Sequence, residues 1–92
     1  MREAPSDAVL AEVVHAVAEV LGLREDEIGI ETRAADLEAW DSFGHVRIVL
    51  AVEQAFGIEM SMADIETADS VSRLCAIVEA ASSRAPSIVA GP

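Results

Sequence analysis

Apolar residues recur roughly every three to four positions along most of this chain, which is the spacing of amphipathic α-helices. The first pattern predicts a helix from about Asp7 to Leu21, with Ser6 as its cap and Gly22 as a left-handed stop. Its apolar residues form a single stripe: Leu10, Val13, Val14, Val17, Val20 and Leu21. We therefore expect this helix to bury one face against neighbouring elements.

The second pattern predicts a helix from about Ser42 to Phe56, capped by Asp41 and ended by Gly57. At about 100° per residue, its apolar positions separate into two stripes. One stripe is assigned to the core and consists of Ile48, Val49, Val52 and Phe56. The other is here called the outer stripe and consists of Phe43, Val46 and Leu50. Because a small core cannot easily take both, the outer stripe is expected to dock a partner, or else to pack under the preceding loop.

Two further helices are predicted after this one. A short helical turn from Met62 to Glu66 is expected because Ser61 and Asp64 have the spacing of a capping box. The last helix is predicted from about Val71 to Ala81, behind a cap at Ser70. Its buried stripe consists of Val71, Leu74, Ile77 and Val78.

A long connection from Arg24 to Trp40 separates the first two long helices, and Ile28, Ile30 and Leu37 can anchor it to the bundle. The predicted fold is therefore all-α: a four-helix bundle with three long helices, one short helix and a long first loop. We expect one domain at residues 6–81, a mobile N-terminus at residues 1–5 and a mobile C-terminal tail at residues 82–92.

Charge and composition narrow the choice of partners. The 92 residues include 17 Asp and Glu against 6 Arg, with no lysine, and the net charge is −11. This acidity disfavours nucleic acid and anionic membrane as partners and favours basic protein surfaces. The single cysteine, Cys75, leaves no disulfide partner and no multi-thiolate metal site, and we expect it to be an inert buried thiol. The polar start and the lack of a membrane-length apolar run predict a cytoplasmic protein, with a monomer as the default.

The loop leads into a recognisable segment. Residues 37–46 read Leu-Glu-Ala-Trp-Asp-Ser-Phe-Gly-His-Val, and the following helix closes with Glu-x-x-Phe-Gly-Ile-x-Met at residues 53–60. This pattern resembles the acyl carrier protein family, whose hallmark is Asp-Ser-Leu at the start of the second helix. The resemblance covers roughly residues 6–81 and includes the helix spacing and the long first loop.

The resemblance implies that Ser42 carries a 4′-phosphopantetheine arm, which a phosphopantetheinyl transferase installs from coenzyme A with a divalent metal. The arm's terminal thiol would hold acyl groups as thioesters, and the chain would present them to enzymes without catalysing a reaction itself. The position is physically reasonable, because a phosphodiester beside a helix N-terminus meets free backbone N–H groups and the positive end of the helix dipole.

Other residues acquire expected roles from their positions around Ser42. The predicted partner-recognition residues are Asp41, Phe43, Val46, Arg47 and Leu50. Trp40 and His45 are expected beside the arm, with His45 at the edge of the core or bonded to the loop rather than acting as a base.

One departure from the family pattern concerns charge. Carriers of fatty acid synthesis resemble one another in a strongly acidic second helix, whereas this one has only Arg47 and Glu53, which cancel. We therefore expect apolar docking with weak salt dependence. This favours a discrete carrier for polyketide or related natural-product synthesis, with ligases, acyltransferases or ketosynthases as partners.

Three alternatives are open at this stage. An aminoacyl or peptidyl carrier would resemble Gly-Gly-x-Ser, and the glycines are absent from Glu-Ala-Trp-Asp-Ser at residues 38–42. An unmodified helical interaction module would leave Ser42 bare. A small enzyme would need a nucleophile with a nearby base or a metal cluster, and two distant histidines with one cysteine make neither.

Overall fold

The computed structural model describes residues 5–89 and consists of four α-helices within that range. They are α1 (Asp7–Leu21), α2 (Ser42–Phe56), α3 (Met62–Thr67) and α4 (Val71–Val89). The first loop contains two single 3-10 turns, Glu25–Glu27 and Ala34–Asp36, and residues 5–89 form no β-strand. The all-α prediction, with three long helices and one short one, is confirmed.

The ends of α1 and α2 coincide with the predicted ones because their caps are well formed. The Ser6 hydroxyl accepts a hydrogen bond from the Val9 N–H at 3.1 Å, and the Asp41 carboxylate accepts one from the Gly44 N–H at 2.8 Å. Gly22 and Gly57 end these helices with φ of 71° and 65°, a left-handed conformation that glycine adopts without steric cost.

The core lies between α1, α2 and α4. Val13 and Val17 of α1, Ile48 and Val52 of α2, and Leu74 of α4 are fully buried. The predicted core stripe of α2 is therefore confirmed, with Phe56 half-buried at its end. Burial of an aliphatic side chain of this size stabilises the fold by about 1.5–3 kcal/mol. The buried indole of Trp40 adds a large aromatic side chain to this core.

The first loop is attached to the rest of the bundle by backbone hydrogen bonds. The Ala34 N–H donates to the Asp69 carbonyl at 2.8 Å, and the Val71 N–H donates to the Thr32 carbonyl at 2.9 Å. Ile28 is buried, and Ile30 and Leu37 are half-buried. The predicted anchoring of this loop is confirmed, and the hydrogen bonds attach it to the junction between α3 and α4.

Two predicted helix ends need correction. α3 runs one residue further, to Thr67, and α4 continues to Val89 instead of ending at Ala81. No glycine follows Val71 before Gly91, so no left-handed stop lies near Ala81. Residues 1–4 and 90–92 lie outside the described residues, and the mobility of both ends stays a prediction.

None of the helices within residues 5–89 combines the length and the apolarity that crossing a bilayer requires.

Candidate functional site

The first residue of α2 is Ser42, and its side chain is exposed. The preceding Asp41 has extended backbone geometry and turns its carboxylate toward the helix, where it accepts the Gly44 N–H. The Ser42 hydroxyl makes no hydrogen bond to any of the described residues. An exposed hydroxyl without an intramolecular partner is open to modification by another protein.

The electrostatic surroundings of Ser42 suit an attached anion. The backbone N–H groups of Ser42 and Phe43 occupy the first two helical positions, where no intrahelical acceptor exists, and neither donates to another described residue. The helix dipole adds positive potential at the same end, and the first turn of α2 contains no acidic residue. The donors present therefore fit a phosphodiester on the Ser42 oxygen.

A shallow, partly apolar hollow lies next to Ser42. Its lining residues are Ala34, Trp40, Asp41, Ser42, His45 and Val46. The hollow brings together both residues that were expected beside the arm, Trp40 and His45. Its apolar walls could support the first part of a flexible chain leaving the serine, while its open side leaves the rest of such a chain accessible.

Trp40 and His45 are joined by a hydrogen bond. The Trp40 indole N–H donates to His45 Nδ1 at 3.0 Å, and His45 Nε2 lies 2.7 Å from the Ile65 carbonyl oxygen in α3. Trp40 is only 5% exposed, and its indole belongs to the hydrophobic core. The expectation that His45 bonds to the loop agrees with this geometry.

The outer stripe of α2 is exposed, as its separation from the core stripe predicted. Phe43 is 79% exposed, Val46 54% and Leu50 52%, so packing under the loop does not occur. Arg47 is exposed beside them and has no ion pair with the described residues. Together these residues form an apolar surface with one positive charge, adjacent to Ser42.

The two charged residues of α2, Arg47 and Glu53, differ in their surroundings. Glu53 is half-buried, and its carboxylate accepts the Met60 N–H at 2.8 Å, which holds the chain after α2 in place. Glu53 therefore has a structural role, whereas Arg47 is exposed beside the outer stripe. The two formal charges still sum to zero over the helix, as the sequence indicated, but the two side chains differ in exposure.

Sequence reasoning missed two features. Met62, the first residue of α3, is a further large apolar side chain open to solvent and is 70% exposed. Its signal was an apolar residue directly after the Ser61 cap of a very short helix. Gly44 is buried, and a Cβ there would lie 2.7 Å from the Ala39 carbonyl oxygen. Glycine at this position therefore allows the loop to approach α2 closely.

The remaining reactive groups lie away from Ser42. Burial raises the pKa of the Cys75 thiol to about 11, which agrees with the expected inert thiol in the core. His15 on α1 is exposed, and its hydrogen bond and charge interaction with Glu25 raise its pKa. The described side chains contain no group of histidine, cysteine and acidic residues that could hold a metal ion.

Comparison with known proteins places these features in a family context. Residues 11–78 match the family model described as a phosphopantetheine attachment site. The fold is similar to the solution NMR structure of a holo acyl carrier protein from Geobacter metallireducens, with a TM-score of 0.75. That match covers 86% of this chain and 91% of the other at 22% sequence identity, so it supports the fold alone.

Proposed function

This chain belongs to the acyl carrier protein family, defined by its phosphopantetheine attachment site, and from that membership we propose that it carries acyl groups on an arm attached to Ser42. The cofactor is covalently bound 4′-phosphopantetheine. When bound, this group supplies a terminal thiol that can hold an acyl group as a thioester. The chain's own residues would anchor the arm, shield its point of attachment and present the arm to other proteins.

The main support for Ser42 as the attachment site comes from comparing the hydrogen bonds of its hydroxyl with those of the other serines in the matched region. That region contains Ser42, Ser61, Ser70 and Ser72. The Ser61 hydroxyl accepts the Asp64 N–H, and the Ser70 hydroxyl accepts the Arg73 N–H. Ser72 lies on α4 within 3.5 Å of the Ser70 hydroxyl. Only Ser42 combines exposure, a hydroxyl without a described partner and unpaired amides beside it.

The proposed partners divide into two groups. The first is a phosphopantetheinyl transferase, which would use coenzyme A and a divalent metal to modify Ser42. The second group comprises acyl-loading and acyl-processing enzymes, such as ligases, acyltransferases or ketosynthases. In this scheme the chain itself catalyses no step. We also propose that the protein is a monomer and that it works in the cytoplasm. The net charge of −11 supports the monomer, because like-charged copies repel each other.

The docking surface is proposed to comprise the outer stripe together with Asp41 and Arg47. Because the outer stripe is apolar and Arg47 and Asp41 are both exposed, the complementary surface would be an apolar patch bordered by an acidic group facing Arg47 and a basic group facing Asp41. Contacts of this kind depend mainly on buried apolar area, so binding should weaken little as salt is raised. This supports a discrete carrier for polyketide or related natural-product synthesis, since the acidic docking helix of fatty acid carriers is missing.

The test is the intact mass of the protein after incubation with coenzyme A, magnesium and a broad-specificity phosphopantetheinyl transferase. We expect one phosphopantetheine to be added to the wild type and none to Ser42→Ala. The matched control is Ser72→Ala, which removes another exposed serine hydroxyl and should be modified fully. Addition to Ser42→Ala would refute the assignment. No addition to folded wild type, after a more selective transferase has been tried, would favour an unmodified interaction module.

A loading experiment with the modified protein distinguishes an acyl carrier from an aminoacyl carrier. Offered in parallel to acyl-loading and aminoacyl-loading enzymes, it should gain the mass of an acyl group and not that of an amino acid. Exclusive loading by the aminoacyl enzymes would instead support the aminoacyl or peptidyl carrier, the second candidate, which the observed geometry does not favour over the first.

A further inference from the structure

The hydrogen bonds of His45 determine which of its nitrogens carries the proton. An indole N–H can only donate, so His45 Nδ1, which lies 3.0 Å from Trp40 Nε1, must be the acceptor. A carbonyl oxygen can only accept, so His45 Nε2, at 2.7 Å from the Ile65 oxygen, must be the donor. The imidazole is therefore neutral with its proton on Nε2, and both nitrogens are occupied.

This chain of hydrogen bonds joins three parts of the molecule at the serine end of α2. Trp40 ends the first loop, His45 lies in the first turn of α2, and Ile65 lies in α3. α3 has only six residues, none of them fully buried, and Ile65 is its half-buried apolar anchor. A short helix with so little buried surface depends strongly on its polar contacts for its position.

We propose that His45 is a positioning residue that holds Trp40 and α3 against the first turn of α2 and thereby controls how Ser42 is presented. The same side chain lines the hollow beside Ser42, so its placement determines both the wall of the hollow and the distance of α3 from it. Because neither nitrogen has a free lone pair or an unbonded proton, His45 is not available as an acid or base toward the arm. The last step, presentation of Ser42, rests on the proposed function; the hydrogen-bond chain does not.

The hydrogen-bond chain can be tested directly on the unmodified protein by NMR. We expect a scalar coupling between Trp40 Nε1 and His45 Nδ1 across the hydrogen bond, and nitrogen shifts of an Nε2-protonated tautomer. Absence of the coupling, or a proton on Nδ1, would overturn the proposal. This measurement needs no variant, so it decides the question even if a substitution unfolds the domain.

Two variants separate the two hydrogen bonds. His45→Asn keeps an acceptor near the position of Nδ1 but cannot reach Ile65, whereas His45→Gln reaches Ile65 but offers Trp40 no acceptor at the Nδ1 position. The Ile65 amide donates to the Ser61 carbonyl, so its hydrogen exchange reports opening of α3. Exchange of this amide should be roughly five- to thirty-fold faster in His45→Asn, because α3 loses the hydrogen bond from His45 to the Ile65 carbonyl. In His45→Gln the Trp40 indole N–H should exchange faster instead. Unchanged exchange at both positions would refute the coupling between these segments.

The consequence for Ser42 is measured as the rate of phosphopantetheine addition. We expect both variants to be modified at Ser42 to completion, but with kcat/KM lowered several-fold. This decrease corresponds to about 1 kcal/mol. The matched control is His15→Gln. It changes the second histidine of the protein, which lies on the exposed surface of α1, and its rate of modification should match that of the wild type. Variants modified at the wild-type rate would refute the positioning role. A wild type that gains no phosphopantetheine would refute the proposed function instead, so the two failures are distinguishable.

Discussion

Replacement of Gly44 by alanine tests the close approach of the first loop to α2. The new Cβ would lie 2.7 Å from the Ala39 carbonyl oxygen and 3.1 Å from the Leu21 side chain. The carbonyl belongs to the backbone and cannot rotate away, so the loop or the helix must move. Overpacking of this kind costs about 1–3 kcal/mol, and the better helix propensity of alanine offsets up to about 1 kcal/mol of it. We expect the free energy of unfolding to fall by about 1–2 kcal/mol.

Urea denaturation followed by circular dichroism gives this free energy, and thermal unfolding should show Tm lowered by about 5–15 °C. The matched control is Gly29→Ala in the first loop. A new Cβ there has no atom within 4 Å, and φ is not positive. That substitution should leave stability unchanged or raise it by up to about 1 kcal/mol. If Gly44→Ala were as stable as Gly29→Ala, the steric argument for glycine at this position would be wrong.

Three further predictions concern the thiol, a surface histidine and the docking surface. Cys75 is 1% exposed with a pKa of about 11, so the folded unmodified protein should react slowly with Ellman's reagent. The modified protein should release one equivalent rapidly from its arm, and fast reaction before modification would contradict the burial. Because the hydrogen bond to Glu25 and its charge raise the pKa of His15, this contact should stabilise the fold below the ordinary histidine pKa of 6.5 and lose its effect as the pH rises through the raised pKa. Unfolding of wild type and His15→Gln across this range should show the difference, and a difference that grew with pH would contradict the sign. Leu50→Asp should lower the affinity for a docking enzyme about five- to tenfold, as expected for loss of a partly buried leucine contact, while Ala55→Asp, also exposed on α2, should not.

The ends of α1 and α2 could be predicted because their signals are local. A capping side chain, an apolar period and a glycine that adopts positive φ all lie within one or two turns of the helix end they specify. The division of α2 into a core stripe and an outer stripe was predictable for the same reason. The burial of Ile48 and the exposure of Phe43 both follow from the angular position of each residue around the helix axis.

Contacts between distant segments could not be read in the same way. The hydrogen bond from His45 to Ile65 joins residues twenty positions apart, and no local pattern specifies the partner. The assignment of Glu53 to the Met60 backbone likewise depends on how the chain turns after Gly57. The end of α4 was missed because the serine- and proline-containing segment after Ala81 was read as a chain terminus, whereas the helix continues through it to Val89.

The backbone hydrogen bonds between the first loop and the α3–α4 junction have a consequence for folding kinetics. They join residues 32–34 to residues 69–71, so they close a large loop, and its entropic cost must be offset by contacts that already exist. We therefore expect the helices to associate first and this junction to form late, with low φ-values at Thr32 and Ala34. A nascent or partly unfolded chain would then contain the serine-bearing helix but lack its fixed surroundings. A modifying enzyme that contacts both the loop and α2 would thereby select chains that have completed folding.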